Sequence, residues 1–336
     1  FLTGDPRRGT TSDPYYFGPL THAPSDLAGG YSGDTAVVPL NWSKSYNLQG
    51  NISWRMTNAI KLKYEFVHNF DESPDAYPFV VRYKPDGNSI FQGEGNMHSL
   101  EFTHSVNDKM FYTVKGSYIF DKAHSWAYDS PDDPRYLPSF YEKYFPNTSY
   151  VTAGTDPSRF SRKTETVAGK IDAVAQILGM HEVKAGVEVR KHTLTVESYT
   201  LQFRDPNFPN TDPSFANALT GQFHFLPYIP DEVGGYTYYK RQPLQMAAYV
   251  QDKIELFKSI ILNLGVRYEY FDPAAQYNPA ISTELSEPQE TIFIQKNLTD
   301  ASKKHMVSPR ISVSYPITDQ GTIRFSYGHF FQIGSL

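Results

Sequence analysis

Between Leu244 and Phe271 the chain reads LQMAAYVQDKIEL, then FKS, then IILNLGVRYEYF. In the second run Leu262, Leu264, Val266, Tyr268 and Tyr270 alternate with Asn263, Gly265, Arg267 and Glu269. A side-chain period of two is the signature of a β-strand with one apolar and one polar face. The apolar face is aliphatic in its middle and tyrosine-rich at one end. That composition suits a strand whose outer face meets hydrocarbon and whose end meets headgroups. Few other patterns restrict a fold so strongly, because the same unit recurs along the whole chain.

The first strand is predicted at about 44–56, where Tyr46, Leu48, Gly50, Ile52, Trp54 and Met56 share a face opposite Asn47, Gln49, Asn51, Ser53 and Arg55. Further strands follow at about 59–70, 94–106, 110–122, 163–178 and 181–197. The opening hairpin supplies the seventh and eighth, residues 305–315 the ninth, and the run through Ile323, Phe325, Tyr327, His329 and Phe331 the tenth. Short turns join strands within each pair. Long polar insertions at about 71–93, 123–162, 198–242 and 272–304 separate the pairs. Residues 1–43 read as one more long loop, with Asp5-Pro6, Gly18-Pro19 and Gly29-Gly30 blocking regular structure.

A soluble sandwich has no reason to make every second connection long. A transmembrane barrel does, since its periplasmic turns are short and its extracellular loops long. The fold class expected is therefore all-β: an antiparallel up-and-down transmembrane β-barrel segment of about ten strands. The mean hydropathy of −0.48 does not oppose this, because barrel strands are only half apolar. No apolar run reaches the ~18 residues of a membrane-crossing helix. Ten strands carry the chain from one long-loop end back to the same side. Residues 44–332 are thus expected to be a partial barrel, 333–336 a truncated end, and any plug domain to lie outside this sequence.

Composition closes off several functions. The chain has no Cys, which removes disulfides, thiol catalysis and Cys-ligated zinc. A net charge of −5 gives no footprint for nucleic acid. The 10 histidines show no metal spacing, and His104 and His329 read as interfacial residues. Neither a phosphate-cradling Gly-rich loop nor a nucleophile motif is present, so no enzyme activity, cofactor or metal is expected. The acidic run Asp129–Asp133 lacks an ordered calcium-ligand pattern and reads as solvated loop.

Four segments together resemble the barrel of TonB-dependent outer-membrane receptors: HEVKAGVEVR at 181–190, AAYVQDKIEL at 247–256, LNLGVRYEYF at 262–271, and SPRISVSYPITDQGTIRFSYGHFFQ at 308–332. Their flavour is closest to the Oar-like branch. The resemblance implies a barrel of about 22 strands around a plug. It also implies bacterial outer-membrane localisation, uptake of a scarce solute energised by the TonB complex, and partners comprising outer-membrane lipid, the chain's own plug and an extracellular ligand. Loop composition points to a peptide or glycan rather than a metal chelate. The alternatives are a passive porin-like channel and a soluble all-β carbohydrate-binding or -cleaving protein.

The alternation places Lys61, Lys63, Glu65, Glu101, Lys115, Lys170, Asp172, Glu182, Lys184, Glu188, Arg190, Arg267, Glu269, Arg310 and Arg324 on the lumen face. These residues hold a plug, line the solute path, or pair with one another across strands as a hydrated wall. In the loops, Tyr136, Tyr141, Tyr144, Tyr228, Tyr236 and Tyr238 are candidate ligand contacts, with loop packing as the competing role. Asp252 breaks the pattern, falling on the apolar face with Val250 and Ile254. Either a bulge shifts the register there, or Asp252 lies at the periplasmic rim; the rim is favoured.

Overall fold

A computed structural model describes residues 41–75, 87–133, 135–136, 140–145, 148–153, 155–207, 209–210, 226–231, 235–257, 260–277, 298–318 and 321–331, with backbone alone for 140–145, 148–153 and 318. The strands are β1 (Lys44–Arg55), β2 (Ile60–Pro74), β3 (Ile90–Asn107), β4 (Met110–Trp126), β5 (Phe140–Phe145), β6 (Thr148–Ala153), β7 (Ser158–Ile177), β8 (His181–Thr200) and β9 (Gln202–Arg204). There follow β10 (Leu226–Tyr228), β11 (Thr237–Arg241), β12 (Leu244–Leu256), β13 (Ile260–Asp272), β14 (Gln276–Tyr277), β15 (Thr299–Asp300), β16 (Lys304–Thr318) and β17 (Gly321–Gly328).

Ten of these form one antiparallel meander in the order β1-β2-β3-β4-β7-β8-β12-β13-β16-β17. All ten strands expected from the alternation are present, each beside its sequence neighbour among them. Three two-stranded ribbons, β5–β6, β9–β10 and β14–β15, decorate the long connections. The short turns are tight for local reasons. Thr57 Oγ1 accepts hydrogen bonds from the Ile60 and Ala59 amides at 3.0 and 3.2 Å, and Asn107 Oδ1 accepts from Lys109 N at 2.8 Å. Leu178 and Gly179 both take positive φ, 51° and 72°, between β7 and β8.

The sheet is one layer thick. The buried hydrophobic residues among those described are Ala123, Tyr136, Tyr199 and Leu201, all toward the long-loop end. The apolar positions of the strands lie instead on one open face. Register aligns Val114, Ile171, Val187 and Ala248 across four neighbouring strands. Ile171 and Val187 are each about half exposed, at 48% and 50%. An apolar surface spread over ten strands is far larger than a monomer in water tolerates. Aromatics gather toward both ends of that face, with Trp54, Tyr112 and Tyr315 near the short turns and Tyr46, Tyr118 and Tyr268 toward the long loops. Several pair with outward histidines: Tyr64 with His98 at 2.7 Å, His104 with Tyr112 at 3.2 Å, Tyr268 with His305 and Tyr327 with His329 at 2.8 Å.

The strands overshoot the sequence-based ends. β3 begins at Ile90, β7 at Ser158, and β8 runs to Thr200. Within the expected insertion 198–242, β11 pairs with the upper part of β8, above the stretch that pairs with β12. Pro243 C=O accepts the His192 amide at 3.0 Å and joins the two pairings into one edge. The reason is physical. Beyond the lipid the ladder continues, but neither face needs to be apolar, so alternation stops marking it. Asp252 needs no bulge: β12 pairs without a shift with both β8 and β13. Its carboxylate lies on the apolar face near the short-turn end, 2.7 Å from His181 Nδ1.

The account of the faces is checked by charge substitution. Val187→Arg, mid-way along the apolar face, is expected to lower stability in lipid by about 2–4 kcal/mol. Unfolding in liposomes, read by heat-modifiable gel migration, measures it. The neighbouring inward substitution Glu188→Gln is expected to change stability by less than about 1 kcal/mol.

Candidate functional site

The opposite face is charged, and its charges are arranged. One register row runs Lys63, Glu101, Lys115, Lys170, Glu188, Ala247 and Glu269 across seven strands. Lys115 and Lys170 are direct neighbours in it, which alone is unfavourable. Each turns along the sheet to an acid instead. Lys115 Nζ lies 3.6 Å from Glu65, which also takes Lys63 at 2.5 Å, while Lys170 reaches Asp172 at 2.9 Å. Arg267 joins Glu269 at 3.0 Å and Glu188 at 3.9 Å, and Arg190 also pairs with Glu188. Lys184 takes Glu182 at 2.9 Å.

Tyr249, unremarked in the sequence, ties this lattice together by donating its hydroxyl to Asp172 Oδ1 at 2.7 Å. Asp172 and Tyr249 both stand opposite Gly186 in register. A Cβ at Gly186 would sit 2.5 Å from Asp172 Oδ1 and 2.6 Å from Tyr249 Cε1. The glycine is what lets the two side chains meet over the strand. Its signal in the sequence was only a glycine at an inward position. The charged face also carries an apolar row, Val67, Met97 and Ile119, which strict alternation does not anticipate.

The long-loop end bears a second constellation. Strands β7 and β8 are 20 residues each, about twice the ~9–11 needed to cross a bilayer. On their projecting part Tyr136, Tyr199 and Leu201 form a small core, with Tyr128, Phe203 and Tyr236 packed around it. Arg159, itself buried, donates to Tyr128 O at 2.5 Å, Asp129 O at 2.7 Å and Tyr136 Oη at 2.8 Å. Its guanidinium also lies over the Trp126 ring, 4.6 Å from the centroid. Tyr236 donates to Glu197 at 2.8 Å, and that bond, with burial, pushes its hydroxyl pKa up to about 12. Arg135, hydrogen-bonded to Asp133, holds that carboxyl below the usual range.

These contacts sort the loop tyrosines. Tyr136 is fully buried, so it packs the loop and presents no surface to a ligand. Its ring and hydroxyl are spent on Tyr128 and Arg159. Tyr236 is half-buried in the same cluster. Tyr238 is 54% exposed on β11, and Tyr228 donates to Gln202 at 2.6 Å on the β9–β10 ribbon. Tyr141 and Tyr144 lie on β5, whose side chains are outside the described residues.

A family model described as an outer membrane beta barrel domain matches residues 15–335. The chain belongs to the outer membrane beta-barrel domain family. Its apolar face is therefore the lipid face, its charged face the lumen, its short turns periplasmic and its long loops extracellular, in the bacterial outer membrane. A search of curated proteins finds no match. Solved structures share the fold. The copper transporter OprC aligns with a TM-score of 0.52 at 11% identity, over 85% of this chain and 37% of that one. The ferripyoverdine receptor of the outer membrane of Pseudomonas aeruginosa gives 0.51 at 12%, over 86% and 36%. FpvAI, in its complex with pyocin S2, gives 0.52 at 14%, over 86% and 35%. The resemblance to receptor barrels noted in the four sequence segments is borne out in the fold. The chain spans little more than a third of the length of these neighbours.

Two outcomes follow for the extracellular cap. Arg159→Met is expected to free residues 127–136 and cost about 2–4 kcal/mol locally, since it removes three charge-assisted hydrogen bonds at once. Hydrogen exchange of that segment would rise while exchange in β12 and β13 stays unchanged. His124 stacks on Trp126 at 4.0 Å above the lipid belt, and burial lowers its pKa from 6.5. The unfolded segment then takes up the proton first as pH falls, so cap stability is complete above pH 6.5 and declines below it. Exchange at pH 7.5 and 5.5 measures this, and His124→Phe, which keeps the stack, is expected to remove the difference.

Proposed function

We propose that this chain is a wall segment of a TonB-dependent outer-membrane receptor that imports a scarce solute. The observation that carries the reading is the lumen face: an ion-paired lattice with members on five strands, β2, β4, β7, β8 and β13, standing on a one-layer wall. A small barrel fills its own interior with side chains, whereas a wide one needs water or a plug there. Paired charges suit a surface that must hold and release such a plug, since each exposed pair is worth only about 0–1 kcal/mol. The fold neighbours, a copper transporter and a ferripyoverdine receptor, support uptake across the outer membrane. They lend no particular support to a peptide or glycan as the solute.

On this reading Lys63, Glu65, Glu101, Lys170, Asp172, Lys184, Glu188, Arg190, Arg267 and Glu269 face the plug, and Tyr228 and Tyr238 face the arriving solute. Residues 44–332 are barrel wall and residues 1–43 an extracellular segment. The plug and the TonB-binding segment are contributed by parts of the receptor outside this sequence.

Conductance and uptake of the full-length protein decide the matter. In planar bilayers it is expected to stay closed, and in cells uptake should vanish when TonB is deleted. A large steady conductance with TonB-independent flux would make it a passive channel instead. Within the receptor, Lys170→Glu combined with Arg267→Glu is expected to leave folding intact but raise leakage of small solutes.

A further inference from the structure

Most of the lumen charges lie in ion pairs, but some, Lys61, Glu101, Arg310 and Arg324 among them, do not. Among the described residues, Arg310 on β16 and Arg324 on β17 form no ion pair. Both are exposed on the inward face. They flank a groove of about 440 Å³ whose polar lining also includes Gln251, Asn263, Ser312 and Ser326. No Asp or Glu contributes to that lining.

The groove has a structural cause. Arg310 pairs in register with Gly265 on one side and Gly328 on the other. Neither neighbouring strand therefore places a side chain beside it. A Cβ at Gly328 would lie 3.2 Å from Arg310 Cγ, so the missing methyl is what lets the arginine stem lie across β17. Phe330 then covers the guanidinium face, 4.7 Å from ring centroid to Cζ. A guanidinium fixed against a ring keeps its N–H edges free and is preorganised for a planar or tetrahedral oxyanion. The serine and asparagine groups around it are suited to hydrogen-bond the remaining oxygens.

We propose that Arg310 and Arg324 form an oxyanion-binding step on the lumen wall, which takes a carboxylate or phosphate group of the transported solute. The groove runs from mid-wall, where Arg310 is the seventh residue of β16, toward the short turn, where Arg324 is the fourth residue of β17. A solute released from the loops would meet Arg310 before Arg324. The inference rests on the receptor reading and deepens it by naming an anionic solute class.

The test is calorimetric titration of detergent-purified full-length receptor with inorganic phosphate and with citrate. Saturable binding is expected, weakened at least about tenfold by R310Q/R324Q, since charge-assisted hydrogen bonds are lost. Gly265→Val leaves both charges in place and fills the room beside Arg310, and it should weaken binding similarly. Absence of binding, or binding unchanged in both variants, overturns the proposal. So does binding that appears only after the plug is deleted, because the arginines would then be holding a plug carboxylate. The titration needs no energised membrane. Its failure would leave TonB-dependent uptake standing, and loss of TonB dependence would leave the titration standing.

Discussion

Every feature of this wall depends on one constraint: in hydrocarbon, a backbone amide or carbonyl has no water to turn to. An unpaired group there costs several kcal/mol, so the only sheet lipid accepts is one whose ladder is continuous. The structure meets this with ten strands, each hydrogen-bonded to the next in sequence, and with pairing that runs unbroken through the mid-wall rows. Even Asp252, the residue most at odds with its face, is accommodated by a histidine partner and not by a bulge. In the membrane β1 and β17 must also be paired, by closure of the sheet onto itself or onto further strands.

From that constraint the division of labour follows. A one-layer wall has no interior to hide apolar side chains in, so its hydrophobic burial happens against lipid. The lumen face is then free to be charged, and its ion pairs contribute little individually to stability. They are useful for what they present. Most of the lattice from Lys63 to Glu269 is self-neutralised, whereas the Arg310–Arg324 groove is not. On the proposed reading the same wall is neutral toward a plug and selective toward an anion. Above the membrane the ladder continues into water on β7 and β8, where a conventional small core around Arg159 becomes affordable and the loops gain a fixed platform.

Much of this was legible in the sequence because lipid enforces a period of two. The alternation around Val187 and Glu188, or Val266 and Arg267, states which face each residue takes, and every inward charge it named falls on one face of the sheet. What it could not state is pairing between strands. The Asp172–Gly186–Tyr249 contact depends on register across three strands, and no run of residues encodes it. Nor does alternation persist above the membrane, which is why β11 went unseen inside an insertion. Tyr136 looked like a ligand contact for a related reason. An aromatic in a polar loop reads the same whether it packs on an arginine or faces a solute, until the fold brings Arg159 beneath it.

The central claim is that one face of this sheet meets lipid and the other water, residue by residue. This chain has no cysteine of its own, so single cysteines can be placed in it one at a time and spin-labelled in the full-length protein, with any cysteine outside this sequence replaced by serine. Labels at positions 262, 264, 266 and 268 in liposomes should relax with oxygen and ignore a water-soluble nickel chelate. Labels at 263, 265, 267 and 269 should do the reverse. Equal access to the nickel chelate at both sets of positions would contradict a membrane-spanning wall.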